Sequence, residues 1–574
     1  MAQKSLKVES VAEAYLALLA ERGVEYLFAN AGTDFAPIVE ALAKADAIGS
    51  PAPKPMIAVH ENLAMSMAHG YAMVSGKVPA VMVHVSVGTA NAICGALNAA
   101  RENVPILFTA GRTPLTEEGL AGARDAYIHW GQEMYDQAGM LREVVKWDYE
   151  LRNAEQLETV VDRALALARS EPCGPVYLTL PREVLAAPLA EMRYQQPARR
   201  VAAASPRADE AALAEAARLL AAAENPLILT TSAGRDPAAV EALAAFAERF
   251  AVPVVQFSPR HLSLPCDHPM QLGFNPTPLV AEADAVLVLE SDVPWIPSRV
   301  SPPAHARVIH IGLDPLFQRY PIRGFLCDLA IPARVSSALD ELAHLLESRC
   351  DKRLIERRRA RIAERHAAIH GQWQALRDSV RGARPIHPAW LSHCIEEVKG
   401  DDAIVVNEYT LMQEHCGFRR AGSFFGSSSA SGLGWGLGAA LGAKLAAPER
   451  LVIATLGDGA YLFANPVAGH HAARLHRLPI LTVVFNNAMW NAVRRATLGM
   501  YPEGAAAKSN HPAFIHLEEL PAFEAVVAAA GGYGERVEDP AELPAALARA
   551  LDAVTRERRQ ALLNVICQAP GGAI

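Results

Sequence analysis

The sequence predicts an α/β protein made of three doubly wound parallel-sheet domains. Three observations carry that expectation. Strand-like and helix-like segments alternate clearly through the first 185 residues. The strand segments, such as "GPVYLTLP" at 174–181, are near-continuous apolar runs, the pattern of strands buried on both faces. The alternation then starts again twice, after polar stretches at 191–210 and 351–379. A chain of 574 residues also exceeds one core and suits about three domains, placed here at 1–190, 205–350 and 380–574.

Taken in order, "MAQKSLKVESVAEAYLALLAERGVEYLF" lacks a secretory apolar core and reads as an amphipathic helix leading into a strand. The strand "VEYLFANAG" (24–32) precedes a helix with Asp34 at its start. "PMIAVHE" (55–61) is followed by the helix "NLAMSMAHGYAMVSG", and "PAVMVHVSVG" (79–88) by "TANAICGALNAARENV" and the strand "PILFTAGR". The stretch 191–210, polar and holding two prolines, reads as a linker. Middle-domain strands are expected at "PLILTTS", "VPVVQF", "AVLVLES" and "RVIHIGL", and the run 351–379 is a solvated helix. The last domain opens with "DAIVVNEYT" and continues through "RLVIATLGDG", "PILTVVFNN" and "QALLNVICQ".

Residues 421–443, "AGSFFGSSSASGLGWGLGAALGA", are uncharged for the length of a membrane span. Their Gly and Ser content instead predicts a buried loop entering a helix whose small residues permit close backbone approach. Half the residues are apolar (51%) and a fifth charged (20%), as in a soluble globular chain. The net charge of −8 is spread among mixed signs, which disfavours a nucleic-acid surface. Eight scattered cysteines without a CxxC predict neither disulfides nor a zinc site, and suit reduced thiols in a cytoplasmic protein.

The chemistry-bearing pattern is "GDG" at 457–459 followed, one helix and one apolar strand later, by "NN" at 486–487. Asp and Asn are costly to bury unless something binds them. A helix opening at Asn465 and Pro466 and closing before Pro479 makes a strand–helix–strand unit with parallel neighbouring strands. If those strands adjoin, Asp458 and Asn487 meet at the carboxyl edge, where open α/β sheets bind ligands. A carboxylate, an amide oxygen and a backbone carbonyl form a hard oxygen shell suited to Mg²⁺ with phosphate. Gly457, Gly459 and Ala460 are small enough for their N–H groups to approach phosphate oxygens.

At this point the chain resembles the thiamine-diphosphate-dependent enzymes, of the benzoylformate decarboxylase and acetolactate synthase group. The resemblance runs along the whole chain. It implies a pyrimidine-binding, a middle and a diphosphate-binding domain, with Mg²⁺ on Asp458, Asn487 and the Met489 carbonyl. In "AVHENLAMSMAHGYA" it places Glu61 on the aminopyrimidine N1′, and in "HVSVGTANA" it places Asn91 at the cofactor. "SGLGWG" puts Leu433 under the thiazolium and the Ser431 carbonyl on the N4′ amine, where serine departs from the usual glycine. "NEYT" brings Thr410 to the diphosphate. It further implies a homodimer or homotetramer with one cofactor between subunits.

"NAGTD" resembles the group's "NPGS", putting Thr33 at a catalytic hydroxyl, and "HVSVGTANA" resembles "HSAAGTGNA", putting His84 at a proton shuttle beside the substrate. No histidine aligns in "SDVPWIPSRVSPP", where Trp295 either fills the space or packs. Arg494 and Arg495 read as surface charges, and His470 and His471 as structural. The implied chemistry is decarboxylation of a 2-oxo acid through a C2 ylide and an enamine. The expected function is a 2-oxo acid decarboxylase with possible carboligase activity. Open alternatives are an acetolactate-synthase-like carboligase, a 2-hydroxyacyl-CoA lyase and a silent protein that keeps the fold. Whether FAD or a nucleotide binds the middle domain is left open.

Overall fold

In the computed structural model, which describes residues 2–509 and 511–569, every strand of the three main sheets runs parallel to its neighbours. The first sheet has the spatial order Lys54–Ile57, Tyr26–Asn30, Ala80–Val83, Leu107–Arg112, Val176–Pro181, Asp148–Glu150. The last sheet runs Phe424–Gly426, Ile404–Glu408, Val452–Gly457, Leu481–Asn486, Ala561–Ile566, Tyr533–Val537. Numbered from the start of each sheet, both read 2-1-3-4-6-5. The two sheets therefore reverse direction at equivalent places, between Tyr26–Asn30 and Ala80–Val83, and between Ile404–Glu408 and Val452–Gly457. Ligands of open α/β sheets bind at such crossover points. The five-stranded middle sheet, ordered Val254–Gln256, Pro226–Thr230, Ala285–Leu289, Arg307–Gly312, Leu329–Pro332, keeps a separate core.

The first and last sheets share a core. It is joined by the helices Glu61–Ser75 and Trp435–Ala446, which cross at backbone contact. A Cβ on Gly70 would stand 1.9 Å from the Ala439 carbonyl oxygen, and one on Gly442 1.9 Å from that of Met67. The small residues of the uncharged segment serve this approach, as expected. Among the described residues, no helix is long and apolar enough to cross a membrane.

Three local expectations need correction. Residues Ala2–Lys7 form a strand, antiparallel to Glu191–Gln196, so the start of the presumed linker is sheet. The helix after Ala80–Val83 begins at Val85, four residues before the expected Thr89, and His84 is its N-cap. Asn465 does precede the helix Pro466–Leu475, but with a φ of 50° and no side-chain capping bond; a short helix, Asp458–Phe463, comes first.

Candidate active site at two crossover edges

Glu61 begins its helix at the carboxyl edge of the first sheet, half-buried. Asn30, the last residue of the neighbouring strand, donates from Nδ2 to Glu61 Oε1 at 2.9 Å. Asn91, from the Val85–Arg101 helix, donates to Oε2 at 2.5 Å. Two amides from separate elements thus fix both carboxylate oxygens. Asn30 went unnoticed in the sequence, although its place at the end of a strand was a usable signal.

Across the crossover point, His84 Nδ1 contacts the buried Asp34 Oδ1, and His84 Nε2 lies 3.1 Å from Gln132 Nε2. With the Nδ1 proton on Asp34, Nε2 is the acceptor end of the ring, and Gln132 holds it from the far side. Thr33 opens the single 3₁₀ turn that carries Asp34; its side chain is exposed, and its carbonyl accepts from Arg182 at 3.4 Å. The sequence had used Asp34 only as a helix start; its pairing with His84 is tertiary.

At the edge of the last sheet the two strands Val452–Gly457 and Leu481–Asn486 are adjacent, as the spacing of GDG and NN predicts. Asp458 is buried; its Oδ1 accepts from the Gly459 N–H at 2.7 Å and its Oδ2 from the Asn487 N–H at 3.1 Å. Burial raises its pKa, and the N–H groups of Gly459, Ala488, Asn487 and Met489 partly offset the rise. Asn487 Oδ1 accepts from the Met489 N–H at 3.1 Å, and the Met489 carbonyl from the Asn491 N–H at 2.9 Å. Each oxygen of the expected metal set therefore keeps a lone pair free. That donor set, one carboxylate with neutral oxygens, fits Mg²⁺ carrying phosphate. Thr410 lies beside Gly457: a Cβ there would be 3.9 Å from Thr410 Cγ2. Tyr409 and Thr410 hold φ values of 67° and 82°, and Ala460 is buried in the first turn after the strand. Gly459 must be glycine, because a Cβ would meet the Trp490 ring at 2.2 Å.

Between the edges runs the loop that carries Ser431, exposed with φ 51°, and Leu433, half-buried. Glu408, overlooked in "NEYT", is buried and caps the following helix: its oxygens accept from the Gly434 and Gly436 N–H groups at 2.8 and 2.6 Å. Burial pushes its pKa up to about 7. Trp295 packs edge-on against Phe325 in the middle core. His470 is buried between Tyr461 and Gln560, a structural place, while His471 is exposed. Arg494 is exposed; Arg495 is partly buried, with its Nε shut from solvent and unpartnered.

Two sheets of one strand order, each with a polar cluster at its crossover edge, are joined by a shared core. Family models of thiamine pyrophosphate enzymes match the N-terminal TPP binding domain at residues 9–140, the central domain at 213–342 and the C-terminal TPP binding domain at 406–565. The chain belongs to the thiamine pyrophosphate enzymes, as a carbon–carbon lyase or carboligase. It is 26% identical to a sulfoacetaldehyde acetyltransferase of Castellaniella defragrans, over 97% of this chain and 92% of that protein. It is 26% identical to a benzoylformate decarboxylase of Pseudomonas aeruginosa, over 85% of this chain and 88% of that one. The solved thiamine diphosphate-dependent 4-hydroxybenzoylformate decarboxylase of Rhodococcus jostii RHA1 shares the fold, with a TM-score of 0.78 at 22% identity over 98% of this chain and 100% of that chain.

Proposed function

We propose that the protein is a thiamine-diphosphate- and Mg²⁺-dependent 2-oxo acid decarboxylase, able to ligate the product to a second carbonyl. The observation that carries this reading is the Asp34–His84 pair at the crossover edge, one strand from Glu61. Releasing an aldehyde requires a proton to be delivered, and an imidazole held at Nδ1 by Asp34, with Gln132 at Nε2, is built to carry one. Asp458, Asn487 and the Met489 carbonyl hold the cation. Thr410, Gly457, Gly459 and Ala460 line the diphosphate, the Ser431 carbonyl and Leu433 hold the ring system, and Glu61, set by Asn30 and Asn91, holds the pyrimidine. Thr33 orients the substrate carboxylate. When bound, thiamine diphosphate supplies the carbon that adds to the ketone and takes up the electron pair left by CO₂.

The units 1–190, 205–350 and 380–574 serve as pyrimidine-binding, middle and diphosphate-binding domains. A homodimer or homotetramer is supported by exposed apolar side chains at both edges: Ile57, Val59 and Val87 near Glu61, and Tyr409, Phe463 and Val467 near Asp458. A cytoplasmic setting is supported by the free thiols of all eight cysteines.

Acyl transfer to an acceptor is a second reading, favoured by the relative named as an acetyltransferase, which matches 97% of this chain. One experiment tests both. The protein is assayed with Mg²⁺ and thiamine diphosphate against pyruvate, branched-chain 2-oxo acids, benzoylformate and glyoxylate. CO₂ with free aldehyde supports the first reading, and a ligated or transferred product the second. No turnover of any 2-oxo acid would sink both.

A further inference from the structure

The loop between the two edges is pinned by all three sheet units, and one pin comes from the middle unit, which contributes no residue to the site described above. Ser429 Oγ lies 3.0 Å from the hydroxyl of Tyr320, which donates to Asp292 Oδ2 at 2.7 Å. Arg260 grips the same carboxylate, from Nη1, at 3.0 and 3.2 Å. Its Nε lies 2.9 Å from Glu102 Oε1, at the C-cap of the Val85–Arg101 helix. Glu102, Arg260 and Asp292 are all buried. Burial raises the pKa of Glu102, against the opposing charge of Arg260. Ser429 is therefore held at its hydroxyl by the middle unit.

The remaining pins follow at once along the chain. Asn98, one turn before Glu102, accepts from the Gly432 N–H at 3.1 Å and donates to its carbonyl at 2.8 Å. Glu408 takes the N–H groups of Gly434 and Gly436. Fixed positions at 429, 432, 434 and 436 bracket Ser431 and Leu433. A buried guanidinium shared by two carboxylates is an expensive device for stability alone, since apolar replacements often match it.

We propose that the chain Glu102–Arg260–Asp292–Tyr320 sets the Ser428–Leu433 loop for the cofactor, and that Tyr320 is a positioning residue acting through Ser429. The proposal rests on the assignment of Ser431 and Leu433 to the cofactor. Its test is the binding of thiamine diphosphate, with Mg²⁺ present, to the full-length apo protein, followed by the circular dichroism of the bound cofactor. Wild type is measured first; failure to bind would overturn the assignment and the proposal together. With binding established, Tyr320→Phe is expected to raise the Kd about fivefold, about 1 kcal/mol, and to alter the cofactor's dichroism.

Ser429→Ala, which removes only an exposed hydroxyl, provides a variant that cannot fail through misfolding. It is expected to give the same rise in Kd, and the double variant no more than either single one, because the Ser429–Tyr320 hydrogen bond is lost in both. Unchanged Kd in Ser429→Ala, or additive effects in the double variant, would overturn the proposal. So would a Tyr320→Phe protein whose only change is a lower melting temperature.

Discussion

His84 Nδ1 lies 2.5 Å from Asp34 Oδ1, and two glycines make the room for that pair. A Cβ on Gly32 would stand 2.1 Å from His84 Nδ1, and one on Gly111 1.7 Å from Asp34 Oδ2. The imidazole is thus held by one carboxylate at Nδ1, approached by the Gly32 backbone and met by Gln132 at Nε2. If that nitrogen moves the product proton, His84→Ala should cut kcat about 10²-fold, the usual worth of a general acid–base group. Asp34→Asn, which keeps the shape but no longer dictates the tautomer, should cut it about tenfold or more by the same scale. The double variant should be no slower than His84→Ala, since the two act as a unit. Wild-type turnover in Asp34→Asn would remove the pair from the mechanism.

Glu61 should be separable from cofactor binding. Its oxygens are occupied by Asn30 and Asn91, and a glutamine fills the same space. We expect Glu61→Gln to bind thiamine diphosphate nearly as wild type while turnover disappears, checked by isothermal titration beside a CO₂ assay. Near-normal turnover would refute the role proposed for it.

The crossing of Glu61–Ser75 and Trp435–Ala446 admits no side chain. Gly442→Ala would put a Cβ 1.9 Å from the Met67 carbonyl oxygen and 2.7 Å from the Tyr71 nitrogen, and backbone cannot step aside. A loss of about 3 kcal/mol is expected, at the upper end for overpacking. Gly371 provides the control: it lies in the helix Lys352–Val380 with open space at its Cβ, so Gly371→Ala should stabilise by about 1 kcal/mol. Urea denaturation distinguishes the two; equal effects would mean that the crossing is looser than described.

What could be read from the sequence was whatever sits at the end of a strand. The βα alternation placed Asp458, Asn487 and Glu61 at sheet edges, because a parallel strand's position follows from local pattern. Pairings between distant segments were not legible. The strand Ala2–Lys7 finds its partner at Glu191–Gln196, and neither segment is apolar enough to announce itself. The same holds for Asp34 with His84 and for Ser429 with Tyr320. His84 was assigned to a strand because "VMVHVSVG" continues its apolar pattern, yet the chain turns into a helix one residue later. Local pattern gives the edge; the partners along it depend on how the sheets wind.

Glu408 should leave a mark on stability against pH. Burial lifts its pKa from an ordinary value near 4.5 to about 7, so the folded chain keeps a proton that the unfolded chain releases. The group's contribution is then complete below pH 4.5 and is lost as pH rises through 7, because the unfolded state binds fewer protons across that window. Glu408→Gln removes the titration. It should also be less stable at every pH, since its NH₂ faces a backbone N–H. Melting temperatures of both proteins from pH 5 to pH 7.5 should converge as pH rises, and parallel curves would contradict the assigned direction.

Asp458 is buried at the edge where the cation is proposed to sit. Its carboxylate is shut from water, burial raises its pKa, and the opposing groups are backbone N–H donors. A dication relieves that cost, so Mg²⁺ with thiamine diphosphate should stabilise the fold by mass action, by about 2.7 kcal/mol at a hundred times the Kd. Binding requires the deprotonated acid, and the stabilisation should therefore weaken as pH falls through the raised pKa. Asp458→Asn keeps the shape and one acceptor but loses the charge. We expect its melting temperature to rise little when both ligands are added, and EDTA to abolish the rise in wild type. A full thermal shift in Asp458→Asn, or one in wild type indifferent to EDTA, would show that the carboxylate does not hold a cation.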